Sequence, residues 1–218
     1  MIGRLAQLAG ILGPLALGAA ALVTALAYRG AANEAYSPFN HWVSELGEGG
    51  VSDLPQVFDA GLMVGGVCFV VLMIGLGITR GGRLALLYAA IGAISGIAGI
   101  LVGIYPMNFP AQHTIVAQTF FNLGWIAVLL ASIDFWRRPD HRFPRWLSVL
   151  GVATVAAFIG FLAAYYGLFG DSTLAPAADR PAFTIATTLE WAVLIGIMAW
   201  AFSVGFRWWR AERAHGRA

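Results

Sequence analysis

The chain has 218 residues, of which 59% are hydrophobic and only 11% charged, and its formal net charge is +2. Soluble domains carry roughly 25% charged residues, so this composition excludes an ordinary water-soluble domain. All thirteen basic residues are arginine, which excludes chemistry that needs a Schiff-base or P-loop lysine.

Six apolar runs account for most of the sequence: Gln7–Tyr28, Phe58–Thr79, Arg83–Tyr105, His113–Trp136, Trp146–Tyr166 and Phe183–Phe206. Each is long enough to cross a hydrocarbon core of ~30 Å as a helix. Helices satisfy their own backbone polar groups, as the bilayer interior demands. The expected fold is all-α: a polytopic transmembrane bundle of six helices, forming a single domain over residues 1–218. Arginines cluster on one side of this path, from Arg4 through Arg80, Arg83, Arg137, Arg138, Arg142 and Arg145 to Arg207, Arg210, Arg213 and Arg217. Only Arg29 and Arg180 fall on the other side. The positive-inside rule therefore predicts cytoplasmic N and C termini. The arginine excess reads as an orientation signal, with no nucleic-acid partner implied. The expected location is a bacterial or archaeal cell membrane.

The first run carries Pro14 and Gly18, and its Ala25-Leu26-Ala27 imitates a signal-peptidase site. Its apolar stretch is longer than a signal peptide requires, so a retained helix is expected; cleavage would leave five spans. The loop after it is the longest connection. Pro38 and Gly49-Gly50 bracket a short stretch, Phe39–Glu48, expected to form a helical turn or two at the interface with Tyr36 and Trp42 at headgroup depth. Runs two and three form a hairpin through Arg80-Gly81-Gly82-Arg83. Gly61/Gly65, Gly92/Gly96 and Gly99/Gly103 are small-x3-small pairs that favour close helix contact. The same glycine faces offer a route to a homo-oligomer. Cys68 lies inside run two and reads as a small buried apolar residue. The loop Arg137–Arg145 is a basic anchor, with Asp134 expected to pair with Arg137 or Arg138, and His141 and His215 solvated. The last outer loop, Gly167–Pro181, is polar and expected to be irregular.

Polar groups inside hydrocarbon each require an explanation. They gather toward the outer half: Ser44, Glu45, Asp59, His113, Asn122, Arg180 and Glu190 form the expected ligand-binding set. Gln118, Thr119 and Asn122 share one helical arc. Glu190 lies about two turns inside the last run and must be paired, hydrated or protonated there. It is read either as a ligand, proton carrier or general base, or as half of a hydrogen-bonded pair with His113, Gln118 or Arg180. Asp59 is read as a helix-end cap or a site residue. His41, Glu45 and His113 are weak candidates for a zinc site, against an exposed interfacial setting for His41. No HExxH, GxSxG, Walker A or GxGxxG pattern appears. No metal or organic cofactor is expected.

Ser44-Glu45-Leu46-Gly47 after a Ser-Pro loop, then an apolar run opening at Phe58-Asp59, resembles the signature loop of the DUF998 family. Gly103-Ile104-Tyr105-Pro106 followed by His113, and Arg180 before a last run bearing Trp191, resemble that family's other two stretches. The resemblance covers about residues 8–206, with the Frag1/DRAM/Sfk1-like membrane proteins as the competing assignment. It implies a compact multi-pass bundle of undefined activity and carries over Ser44, Glu45, Gly47, Pro106, His113 and Arg180. His41 stands where the family is expected to have no fixed histidine. Three functions follow as expectations. The first is binding or transport of a lipid headgroup or small polar solute in an outer-leaflet pocket. The second is a structural or partner-binding bundle, and the third a metal-assisted lipid hydrolase.

Overall fold

The computed structural model describes residues 1–168 and 179–215. The centre of the expected last outer loop, the His215 side chain and Arg217 lie outside the described residues.

Proline and glycine set several helix boundaries. Helix α1 spans Ile2–Ala27 and continues through Pro14. Pro55 starts α2, Pro55–Arg80, and Pro110 starts α4, Pro110–Arg137, at a first-turn position where a missing N–H costs nothing. Between α2 and α3, Gly82–Ile104, the chain reverses at Gly81 and Gly82, whose φ values of 63° and 85° favour glycine. Helix α5 covers Trp146–Tyr165 and α6 covers Ile185–His215. A short 3-10 helix, Val43–Gly47, lies in the loop between α1 and α2, where the sequence predicts a turn or two. Helix α6 runs well past the expected end at Phe206. Hydropathy marks the stretch that crosses hydrocarbon, whereas the backbone ladder continues through Arg207, Arg210 and Arg213.

Each helix packs on its chain neighbours, and α6 returns to α1, closing a ring. All six are long and apolar enough to cross a membrane. Many of their large apolar side chains point outward, among them Leu5, Leu8, Leu12 and Leu15 on α1, Ile94 and Ile97 on α3, and Val149 and Val152 on α5. Ala6, Ala9, Gly10, Gly13, Ala20 and Ala21 supply most of the buried face of α1, with Gln7, Leu17 and Thr24. Large apolar side chains exposed on the outside of the helices are the pattern of a bundle solvated by hydrocarbon. The chain is a multi-pass integral membrane protein.

The small residues set how closely the helices approach. A Cβ on Gly10 would lie 2.9 Å from the Gly205 Cα across the α1–α6 seam. One on Gly66 would lie 2.8 Å from the Gly96 carbonyl across α2–α3. Gly92 and Gly103 also face α2, while Gly61 and Gly65 face α1. Gly99 differs, because its nearest neighbour is the Phe120 ring at 3.9 Å.

The arginine-rich end is closed by one ionic cluster. Asp134, fully buried, accepts from Arg80 Nε at 2.7 Å and Arg138 Nε at 2.8 Å. The expected Arg138 partner is present, and Arg80 joins it from α2. Asp140 accepts from Arg80 Nη1 at 3.1 Å, from Arg142 Nη2 at 3.0 Å and from the Arg142 and Phe143 amides. Burial alone would raise the Asp140 pKa, but these donors outweigh it and hold the group below the usual carboxylate range. A depressed folded pKa means the stabilisation is present above the unfolded value of ~4 and is lost as pH falls through the lower folded value. Acid titration of the melting temperature should therefore show a loss in wild type that Asp140→Asn lacks; parallel curves would contradict it.

Candidate functional site

At the end opposite the arginine cluster, the loop from Tyr28 to Leu54 folds down over the ring. The 3-10 helix places Glu45 inside this cap, 5% exposed. Glu45 Oε2 accepts from the Trp42 amide at 3.0 Å. Arg180 donates Nη2 to Glu45 Oε1 at 2.7 Å and Nη1 to Oε2 at 3.2 Å, a bidentate pair. Arg180 Nη1 also donates to the Asn40 carbonyl at 2.8 Å. The entry to α6 is fastened alongside: the Thr184 amide donates to Phe39 O at 2.7 Å and Thr187 Oγ1 donates to it at 3.0 Å.

Glu190 lies one helical step below this fastening and is 7% exposed. Its Oε2 accepts from the Val43 amide at 2.7 Å. This amide is its partner, in place of the expected His113, Gln118 or Arg180 side chain. The reason is that the cap descends far enough to put the first amide of the 3-10 helix against α6. Among the described residues no donor reaches Glu190 Oε1, and no cation comes within ion-pair distance of the carboxylate.

Beside Glu190, Trp191 Nε1 donates to Tyr36 Oη at 2.7 Å, and that hydroxyl donates to Trp42 O at 2.9 Å. Burial raises the Tyr36 pKa well above its ordinary value, and the neighbouring Glu190 charge adds to this, so the phenol stays protonated and able to donate. The His41 ring is 2% exposed, enclosed by Tyr28 and Tyr36 at 5.3 and 5.1 Å between ring centres. The exposed setting expected for His41 is thus replaced by an aromatic enclosure.

A cavity runs inside the ring below the cap. Its volume is ≈ 120 Å³. It reaches along α6 from Glu190 to Ala201, about 16 Å at the helical rise. A space so long and so small in volume is narrow. Its walls are apolar: Leu17 and Pro14 from α1, Phe69 and Leu72 from α2, Phe120 and Met198 from α4 and α6. Of the glycines along it, Gly99 leaves room, while Gly10, Gly13, Gly65 and Gly96 pack against neighbouring helices. Polar side chains reach it chiefly near the capped end, from Ser44, His113 and Glu190. His113 Nδ1 is 2.9 Å from the Tyr105 carbonyl, which only accepts, so Nδ1 carries the proton. Ser44 Oγ donates to Met107 Sδ at 3.2 Å. None of the three side chains hydrogen-bonds to another.

The chain matches the family described as "Protein of unknown function (DUF998)" over residues 16–207. It belongs to the DUF998 family. No curated protein and no solved structure matches it. The three stretches that carry the resemblance meet at the capped end of this DUF998 bundle. Ser44-Glu45-Leu46-Gly47 is the core of the 3-10 helix. The turn ending in Pro106 offers the Tyr105 carbonyl to His113. Arg180 clamps Glu45.

The other expected site residues are placed differently. Asp59 sits in the first turns of α2 beneath Gly47, makes no helix-cap bond and does not line the cavity. Asn122 is exposed on α4, where Nδ2 donates to Gln118 O at 2.8 Å, and the Gln118–Asn122 arc lies outside the cavity lining. His41, Glu45 and His113 do not converge: among the described residues no three His, Cys, Asp or Glu side chains are grouped to hold a metal ion. The Val43 amide, Tyr36 and the cavity itself are absent from the sequence-based set. A backbone donor and an internal void leave no residue-type signature.

Proposed function

We propose that this DUF998 protein binds the hydrocarbon chain of an amphiphile inside the ring, with the amphiphile's polar end under the cap. The supporting observation is the shape and chemistry of the cavity: long, narrow, apolar, with its polar groups at the capped end. Apolar cavities of about 150 Å³ hold small hydrocarbons, and ≈ 120 Å³ drawn out along a helix suits a chain segment better than a sugar or a hydrated solute. The arginine distribution supports placing the capped end at the outer face of a bacterial or archaeal cell membrane. The ligand would then be taken from the outer leaflet.

Two glycines on α3 separate this reading from simple packing. Gly99→Leu puts a side chain into the cavity with no close backbone neighbour. It should reduce co-purifying amphiphile at least about tenfold with melting temperature unchanged or raised. Gly96→Leu drives a side chain against Val70 and the Gly66 carbonyl and should destabilise the bundle by about 1–3 kcal/mol. Native mass spectrometry and thermal unfolding of both variants provide the check. Undiminished ligand in a folded Gly99→Leu variant would remove the proposal.

A further inference from the structure

We infer that the polar end of the occupant is a protonated amine, seated against Glu190. This rests on the cavity reading above and adds the headgroup class. Two other buried carboxylates set the comparison. Glu45 is held by Arg180, and Asp134 by Arg80 and Arg138. Glu190 is also buried, yet among the described residues its carboxylate bonds to one backbone amide alone, and no guanidinium or ammonium pairs with it. A carboxylate removed from water is costly unless a cation or several donors compensate it. The free oxygen belongs to a side chain that lines the cavity, so a cationic occupant can supply the compensation that protonation would otherwise supply.

The other polar groups near that end agree. With Nδ1 of His113 committed to the Tyr105 carbonyl, Nε2 of the neutral ring is an acceptor. The Ser44 hydroxyl donates to Met107 Sδ and keeps its lone pairs. Glu190, His113 and Ser44 thus present acceptors. A primary ammonium carries three donors and the opposite charge. An alcohol brings one donor and leaves the carboxylate charge standing. A fatty acid or phosphate head would set like charge against Glu190.

The test uses the full chain in nanodiscs of zwitterionic lipid, with dodecylamine, dodecanol and dodecanoate as probes of equal chain length, read by native mass spectrometry. Comparison between variants cancels partition into the lipid. Wild type should bind dodecylamine about tenfold or more tightly than dodecanol. Glu190→Gln, which keeps an acceptor for the Val43 amide, should abolish the preference for the amine over the alcohol. Glu190→Asp, which keeps the charge, should retain part of the preference and guards against a folding defect in the glutamine variant. Equal amine binding by wild type and a folded Glu190→Gln, or dodecanoate bound as well as dodecylamine, overturns the amine assignment while leaving the cavity reading intact. If Gly99→Leu weakens none of the three probes, the cavity reading fails, and the amine assignment with it.

Discussion

Arg180→Met is expected to lower stability by about 3–5 kcal/mol, the usual consequence of stripping one partner from a buried ion pair. Both side chains of the pair are 6% exposed, so solvent screens the interaction little. The substitution leaves Glu45 buried and, among the described residues, supported by the Trp42 amide alone. It also frees the Asn40 carbonyl. The cost arises from the orphaned charge more than from the lost attraction, and this gives the prediction its internal control. Adding Glu45→Gln removes the charge while keeping an acceptor for Trp42, so the double variant should recover most of the loss. Thermal unfolding followed by tryptophan fluorescence reports it well, because Trp42 and Trp191 both sit at the cap. A double variant no more stable than Arg180→Met would mean that packing, and not charge, fastens the cap. Loosening should reach the cavity as well, since Val43 and Ser44 form part of its lining. The single variant should therefore also release bound amphiphile faster.

The six helices were legible in the sequence because hydrocarbon imposes a length and a composition on anything that crosses it. Gly81-Gly82 marked the hairpin for an equally local reason, whereas α2 and α4 begin at Pro55 and Pro110, ahead of the expected Phe58 and His113. The glycine pairs announced close packing, and Gly96 and Gly103 do lie against α2. Their spacing could not show that Gly99, in the same register, borders empty space. That depends on which helix stands opposite, and so on the closure of the ring by α6 on α1. The sequence offered the candidate site as a set of residue types at one end of the bundle. Its connections were not legible, because they are long-range. Glu45 meets Arg180, and Glu190 meets a backbone amide, across more than a hundred residues of chain. Asn122 shows the opposite error: a polar residue on an apolar helix satisfied by its own helix, through Gln118 one turn earlier. Helical periodicity gave it a face without saying whether that face turns inward.

Asp134→Asn at the arginine-rich end is expected to cost about as much as the loss of Arg180, again ~3–5 kcal/mol, for the mirror-image reason. Here the stranded charge is a guanidinium. The Arg80 side chain is 5% exposed and Asp134 is fully buried. The Arg80 guanidinium lies over the rings of Phe135 and Phe143 at 5.8 and 5.3 Å, so little water is available to replace the carboxylate. Asparagine preserves the shape and one acceptor, and the loss therefore measures charge. Asp140, which also accepts from Arg80, compensates part of it. Arg138→Ala supplies the contrast. Its side chain is 49% exposed, water screens the pair, and the expected cost is only about 0–1 kcal/mol. Melting temperatures of the two variants in one detergent decide the matter. Equal losses would show that Arg138, and not Arg80, carries the junction between α2 and α4. A large loss for Asp134→Asn alone would identify Arg80–Asp134 as the pair that fixes the arginine-rich end, and with it the register in which Gly66 meets Gly96 and the cavity stays open.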